Sequence, residues 1–266
     1  MKNQEKDKNK SRKKRGILKK VLIVLGVLLV VLVLGAAYWV NDGYDPMEEA
    51  IASLESSEEV RVVDNEGFIH FQPLNEELRE KRENTALIYY PGARVVHRSY
   101  APLMHALAQE GIEGFLVNMP LDLAFFGSNR GGEIIEGHEE IENWIIGGHS
   151  LGGAMAARFA YNHEALLEGL VLFASYPASS NDLSDFQQLS VMSIYGDLDG
   201  FVTEEDIENS KNYVPGNTRW LEIEGGNHSQ FGYYGFQRGD IEALISREEQ
   251  HLIMIEGFLL WLQEIR

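Results

Sequence analysis

Between the apolar stretch Trp144-Ile-Ile146 and the small-residue run Gly152-Gly-Ala-Met-Ala-Ala157 stands Gly148-His149-Ser150-Leu151-Gly152. This Gly-x-Ser-x-Gly spacing constrains the fold more than any other feature of the chain. It suits a sharp strand-to-helix turn, because a side chain two positions before or after the serine would collide with the neighbouring backbone. Such a turn holds the serine in a strained conformation and lifts its hydroxyl into solvent. The helix N-terminus behind it favours developing negative charge. A chain with this segment therefore needs a strand running straight into a helix, and its flanks must supply the rest of a sheet.

They do so by alternation. Val60–Val63 and Phe68–Phe71 flank the polar turn Asp64-Asn65-Glu66-Gly67 and predict a hairpin. Apolar strands follow at Thr85–Tyr90, Gly114–Asn118, Trp144–Ile146, Leu170–Ala174, Val191–Tyr195 and Trp220–Ile223. Helical composition lies between or beside them, at His97–Gln109, Glu133–Glu142, Ala154–Tyr161 and about Leu244–Ile265. Pro46 to about Glu58 reads as an acidic helix with its proline in the first turn. Strands apolar on both faces and separated by helices indicate an α/β fold, a mostly parallel sheet covered by helices on both sides.

A serine nucleophile needs a base, and the base needs an orienting carboxylate. In an open sheet of this kind, loops after the strands gather at one edge. Gly196-Asp197-Leu198-Asp199-Gly200 follows one late strand, and Gly225-Gly226-Asn227-His228 follows the next. The order serine, acid, histidine is therefore available, with Asp197 or Asp199 as the acid.

On these residues the chain resembles the α/β-hydrolases, in particular a compact, dienelactone-hydrolase-like branch. The shared segments are Tyr90-Pro-Gly-Ala93, Ile146-Gly-Gly-His-Ser150-Leu-Gly-Gly, Tyr195-Gly-Asp-Leu-Asp199 and Gly226-Asn-His228. The resemblance implies a catalytic triad of Ser150, Asp199 and His228. Its usual Gly-x-x-Asp selects Asp199, leaving Asp197 as a turn residue. It implies an oxyanion hole from the backbone N–H groups of Leu151 and Ala93. Superfamily members often carry His-Gly in that loop where this chain has Pro91-Gly92. Neither metal nor organic cofactor is expected. The substrate would be a small-molecule ester or related acyl compound, cleaved through an acyl-enzyme. An acyltransferase, a peptidase and a catalytically silent binding module are the alternatives on this fold. Only about sixteen residues, Ser175–Ser190, separate the fourth and fifth long strands, so a minimal cap and an open site are expected.

Other residues have quieter readings. His149 suits packing and hydrogen bonding more than a second base. His97, His105, His138, His163 and His251 show no metal-ligand spacing. Arg94 could steer a carboxylate or stay a solvated loop residue. Phe231-Gly-Tyr-Tyr-Gly-Phe236 and Phe125-Phe126 could wall an acyl pocket or pack loops.

The N-terminus is of another kind. Residues 1–20 hold ten of the 23 Lys and Arg residues and two of the 41 Asp and Glu residues. Val21–Val40 is then uncharged, and a helix of that length rises about 30 Å, enough for a bilayer core. Tyr38 and Trp39 fall at its far end, where amphipathic rings favour the membrane interface. The expected division is a basic cytoplasmic tail at 1–20, a signal-anchor helix at 21–40, a linker and acidic helix at 41–59, and the hydrolase-like domain at 60–266. The preceding basic block places that domain outside the cell membrane. Gly35-Ala36-Ala37 would instead allow a cleaved signal and secretion. Without cysteine, the chain has neither disulfides nor cysteine-linked lipid. Residues 41–266 carry a formal charge of −26, which disfavours nucleic acid and other polyanions as partners.

Overall fold

The computed structural model describes the backbone of residues 2–265 and the side chains of residues 16, 18–35, 39 and 42–265. The chain divides into two units, with the boundary between Gly43 and Tyr44. The first is a single helix, α1 (Lys2–Asn41). Its segment Leu18–Gly35 has a mean hydropathy of 2.7 and no buried residue within the unit, so by length and composition it could cross a membrane. The basic side chains before Gly16 and the ring of Tyr38 lie outside the described residues.

The second unit is built on an eight-stranded sheet of order β1-β2-β4-β3-β5-β6-β7-β8. Its strands are β1 (Val60–Asn65), β2 (Phe68–Pro73), β3 (Thr85–Tyr90), β4 (Glu113–Val117), β5 (Asn143–His149), β6 (Gly169–Phe173), β7 (Ser190–Gly196) and β8 (Arg219–Ile223). β1 and β2 form the expected hairpin, and β2 runs antiparallel to β4. From β4 to β8 every neighbouring pair is parallel. In β3, Leu87 and Tyr89 enter one core, while Ala86, Ile88 and Tyr90 enter the other. That alternation with both faces buried is the signature of a sheet sandwiched between helices.

The helices are α2 (Glu48–Ala52), α3 (Glu76–Lys81), α4 (Ala101–Gln109), α5 (Arg130–Glu136), α6 (Leu151–His163), α7 (Glu204–Ser210) and α8 (Arg247–Glu264). Leu103, Met104 and Leu107 of α4 and Phe258 and Trp261 of α8 cover the first face. Ile134 of α5 and Met155, Ala156 and Phe159 of α6 cover the second.

Several elements depart from the sequence expectation. The acidic helix shrinks to α2, because serine hydroxyls redirect the backbone after it. Ser56 Oγ accepts the Val62 N–H at 2.9 Å, and Ser57 Oγ accepts the Val60 N–H at 3.0 Å. The stretch from His97 begins as a 3₁₀ turn, His97–Tyr100, and becomes α-helical at Ala101 with Pro102 in the first turn. The helix expected over Glu133–Glu142 starts earlier and stops at Gly137, where His138 Nδ1 bonds back to the Ile134 carbonyl at 2.8 Å. α3 and α7 were not expected, although their N-caps Asn75 and Thr203 are visible in the sequence. The β6–β7 connection contains one 3₁₀ turn, Ser179–Asn181, and no α-helix.

Candidate active site

β5 delivers the chain to Ser150, which has φ 53° and ψ −123° and immediately precedes α6. A non-glycine residue with positive φ is strained and persists only where its surroundings fix it. Here they do. Ser150 N–H donates to the Phe173 carbonyl at 3.0 Å. Its own carbonyl accepts from Ser175 Oγ at 2.7 Å and from the Ala154 N–H at 3.1 Å. A Cβ on Gly148 would lie 2.6 Å from Tyr90 O, and one on Gly153 would lie 2.6 Å from Ser175 Cβ. A Cβ on Gly152 would run into Tyr90 O and Pro91 O. The small residues thus seat the turn against the end of β3 and the start of the β6 loop.

The loop after β7 carries both candidate acids, and they face different partners. Asp197 Oδ1 accepts the Gly225 N–H at 2.7 Å. Asp199 Oδ1 accepts the N–H groups of Phe201 at 2.7 Å and Val202 at 2.8 Å. Asp199 Oδ2 lies 2.8 Å from Nδ1 of His228, in the loop after β8. Both side chains are almost wholly buried. An ionised carboxylate only accepts, so Nδ1 carries the proton and Nε2 of a neutral His228 keeps a lone pair. Tyr234 holds the residue from behind, donating its hydroxyl to the His228 carbonyl at 3.2 Å. The His228 ring lies 4.3 Å, centroid to centroid, from that of His149, next to Ser150 in the chain. No hydrogen bond joins Ser150 Oγ to His228 among the described residues. Such bonds are often long before substrate is bound.

The loop Pro91-Gly92-Ala93-Arg94 lies beyond the end of β3, beside the turn. Gly92 N–H donates to Tyr100 Oη at 3.1 Å, and Arg94 N–H to the Asp122 carbonyl at 2.8 Å. Between them, the Ala93 N–H has no acceptor among the described residues. The same holds for Leu151 N–H, at the first position of α6. Both amides are free to meet a ligand oxygen.

Three supporting residues were missed by sequence reasoning. Ser175 anchors the turn, as described. Tyr100 holds Gly92. Asp240 ties the two loops together: Oδ1 accepts Gly200 N–H at 2.9 Å, beside Asp199, and Oδ2 accepts Ser229 N–H at 2.7 Å, beside His228. No local motif marks any of them.

The aromatic tract after His228 divides. Phe231, Tyr233 and Tyr234 are buried, and Phe231 stacks on His149 with a 13° interplanar angle. Phe236 is exposed, as are Phe125 and Phe126. Phe201 is 40% exposed, and its ring lies 5.0 Å from that of His228. Among the other histidines, burial pulls His97 down to about 4 and His251 to about 3, so both are neutral near pH 7. Among the described residues no group of three or more His, Cys, Asp or Glu side chains could hold a metal ion.

Residues 86–252 match the model of a family described as the alpha/beta hydrolase family. The chain is similar in structure to the esterase domain of a Rhodothermus marinus protein, at 12% identity over 77% of this chain and 98% of that one, TM-score 0.56. It is similar also to Est1E from Butyrivibrio proteoclasticus with ferulic acid bound, at 12% identity over 75% and 98%, TM-score 0.52. A predicted CIB-like hydrolase from Thermoplasma acidophilum matches at 15% identity over 75% and 96%, TM-score 0.50. At such identities the likeness is one of fold. No curated protein matches the chain by sequence.

Proposed function

This chain belongs to the alpha/beta hydrolase family, and we propose that it is a serine hydrolase cleaving ester or related acyl bonds. The observation that carries this reading is the buried 2.8 Å Asp199–His228 pair, set beside a serine held at φ 53° between β5 and α6. Ser150 Oγ attacks the substrate carbonyl while His228 Nε2 takes its proton. Asp199 stabilises the imidazolium that forms and keeps Nδ1 as the donor. The Leu151 and Ala93 N–H groups receive the oxyanion; each such donor is typically worth about 10²–10³ in turnover. His228 then protonates the leaving alcohol, and the acyl group stays on Ser150. Water, deprotonated by the same His228, releases the acid and restores the serine. Every proton has a donor and an acceptor among these residues.

In this reading the chain is a single-pass membrane protein. Residues 1–20 are cytoplasmic, 21–40 span the bilayer, 41–59 link, and 60–266 form the catalytic domain outside; cleavage of the N-terminal segment would secrete it. The apolar Leu18–Gly35 helix and the basic block before it support this topology. The partners are the membrane and a small-molecule ester or acyl substrate. The acidic domain disfavours nucleic acid.

A membrane-impermeant fluorophosphonate applied to intact cells tests the chemistry and the topology together. The expected result is an adduct on the peptide containing Ser150, absent from Ser150→Ala. An adduct on another serine would remove Ser150 from its role. Labelling only after lysis would place the domain inside.

The lack of a helical cap between β6 and β7 supports an open site. Across a series of p-nitrophenyl esters, kcat/KM should be highest on acetate or butyrate and fall as the acyl chain lengthens. A rise toward long chains would mean that exposed rings such as Phe201 and Phe236 build an acyl tunnel.

A further inference from the structure

His149 is 1% exposed, and its ring lies 4.3 Å, centroid to centroid, from that of His228. Its Nδ1 lies 2.8 Å from Tyr100 Oη, the atom that also accepts the Gly92 N–H at 3.1 Å. Three separate parts of the fold thus meet at one hydroxyl: the loop after β3, the turn before α4, and the end of β5. The approach is close enough that a Cβ on Gly92 would lie 2.8 Å from His149 Nδ1 and 2.9 Å from Tyr100 Oη.

The proton positions follow. Gly92 N–H occupies one lone pair of Tyr100 Oη, and we assign the hydroxyl proton to the 2.8 Å contact with His149 Nδ1, which then accepts. A neutral His149 then carries its proton on Nε2. Burial first, and the neighbouring His228 second, hold the His149 pKa well below the ordinary histidine value. The ring therefore stays neutral when His228 takes the serine proton 4.3 Å away, and the Tyr100 bond survives that step.

Gly92 and Ala93 are adjacent, and only the Ala93 amide of this loop is unbonded. The Gly92 N–H bond fixes the Pro91–Gly92 peptide plane, and the Gly92 carbonyl, which accepts the Val95 N–H at 3.3 Å, fixes the next plane, the one that carries the Ala93 N–H. We propose that His149 and Tyr100 are positioning residues: together they lock the loop after β3 to the serine turn and so aim the Ala93 N–H at the oxyanion. This rests on the serine-hydrolase reading and adds a role to the second residue of the Gly-x-Ser-x-Gly segment.

Packing alone makes the opposite prediction for two substitutions. His149→Phe fills the ring volume and keeps the stack on Phe231 but cannot accept from Tyr100. His149→Asn leaves space but can place Oδ1 near the position of Nδ1. In the full-length protein, steady-state hydrolysis of p-nitrophenyl acetate should show kcat reduced at least tenfold in His149→Phe, with KM within twofold. His149→Asn should recover to within about threefold of the parent, despite a lower melting temperature. These limits sit below the roughly 10²–10³ expected when an oxyanion donor is lost outright. Tyr100→Phe should resemble His149→Phe, and combining the two should cost little more, as for residues acting through one bond.

An asparagine variant less active than the phenylalanine variant would overturn the proposal, as would independent, multiplicative losses at Tyr100 and His149. If His149→Phe fails to fold, the comparison of Tyr100→Phe with His149→Asn still decides: Tyr100→Phe must lose kcat and His149→Asn must keep it. Failure of the underlying reading is a different result, because the parent protein would then not be labelled at Ser150.

Discussion

Asp199→Asn should lower kcat by roughly 10⁴ at neutral pH, whereas Asp197→Asn should stay within a few-fold of the parent. The asymmetry follows from what each carboxylate touches. Asp199 Oδ1 accepts two amides, from Phe201 and Val202, and Oδ2 accepts from His228. An asparagine can serve only one side. Its Oδ1 stays with the two N–H donors, because turning the NH₂ group toward them would set three donors against one another. The NH₂ group therefore faces His228 and forces Nδ1 to accept. The imidazole proton moves to Nε2, and the lone pair that should take the serine proton is gone. The backbone contacts of the loop survive, so the loss is chemical and the melting temperature changes little. Asp197 has one internal donor, Gly225 N–H, which an asparagine oxygen accepts equally well. Steady-state rates of both variants on p-nitrophenyl acetate check the pair. The reverse ranking would make Asp197 the acid.

Asp197 and Asp199 also mark how far the sequence can be read. Both follow the same strand, and two positions along a loop can point to different sides of it. Spacing alone leaves them open, and the Gly-x-x-Asp pattern favours Asp199 only through a resemblance. The strands were plainer. β3 has the bounds the apolar run predicts, because burial on both faces demands an unbroken stretch that loops do not carry. The serine turn was legible for a related reason: Gly148 and Gly152 are required by backbone atoms a few residues away in space. Tyr100, Ser175 and Asp240 were not legible. Each acts through a hydrogen bond to a residue 8 to 49 positions distant, and nothing local distinguishes it from any other tyrosine, serine or aspartate. Helix ends were misjudged where a side chain overrode composition, as Ser56 and Ser57 do after α2.

Gly152→Ala is the substitution expected to cost most in stability. In the first turn of α6 an alanine would by propensity favour the helix by about 1 kcal/mol. Sterics reverse the sign. The added Cβ would meet Tyr90 O and Pro91 O, which are backbone atoms and cannot rotate away. Nor can the segment retreat, because Tyr90 is paired with Gly148 where β3 lies against β5. Overpacking ordinarily costs about 1–3 kcal/mol, and a clash with fixed backbone belongs at or above the upper end. About 3 kcal/mol corresponds to a fall of roughly 10 °C in melting temperature for a unit of this size. The activity should fall further than the stability. Relief of the clash pushes Pro91 away from the turn, and with it the Ala93 N–H that is proposed to receive the oxyanion. Gly132→Ala in α5 is the matched control. Its Cβ would meet Phe159 Cε2 at an ordinary 3.8 Å, so the helix gain is kept and the melting temperature should rise or hold. Thermal melts of the two variants, with labelling of Ser150 at a temperature where both are folded, separate the steric cost from the loss of the oxyanion donor. A Gly152→Ala protein that melts and labels like the parent would mean that the end of β3 can yield. The close seating of the turn would then not be what holds Ser150 in place.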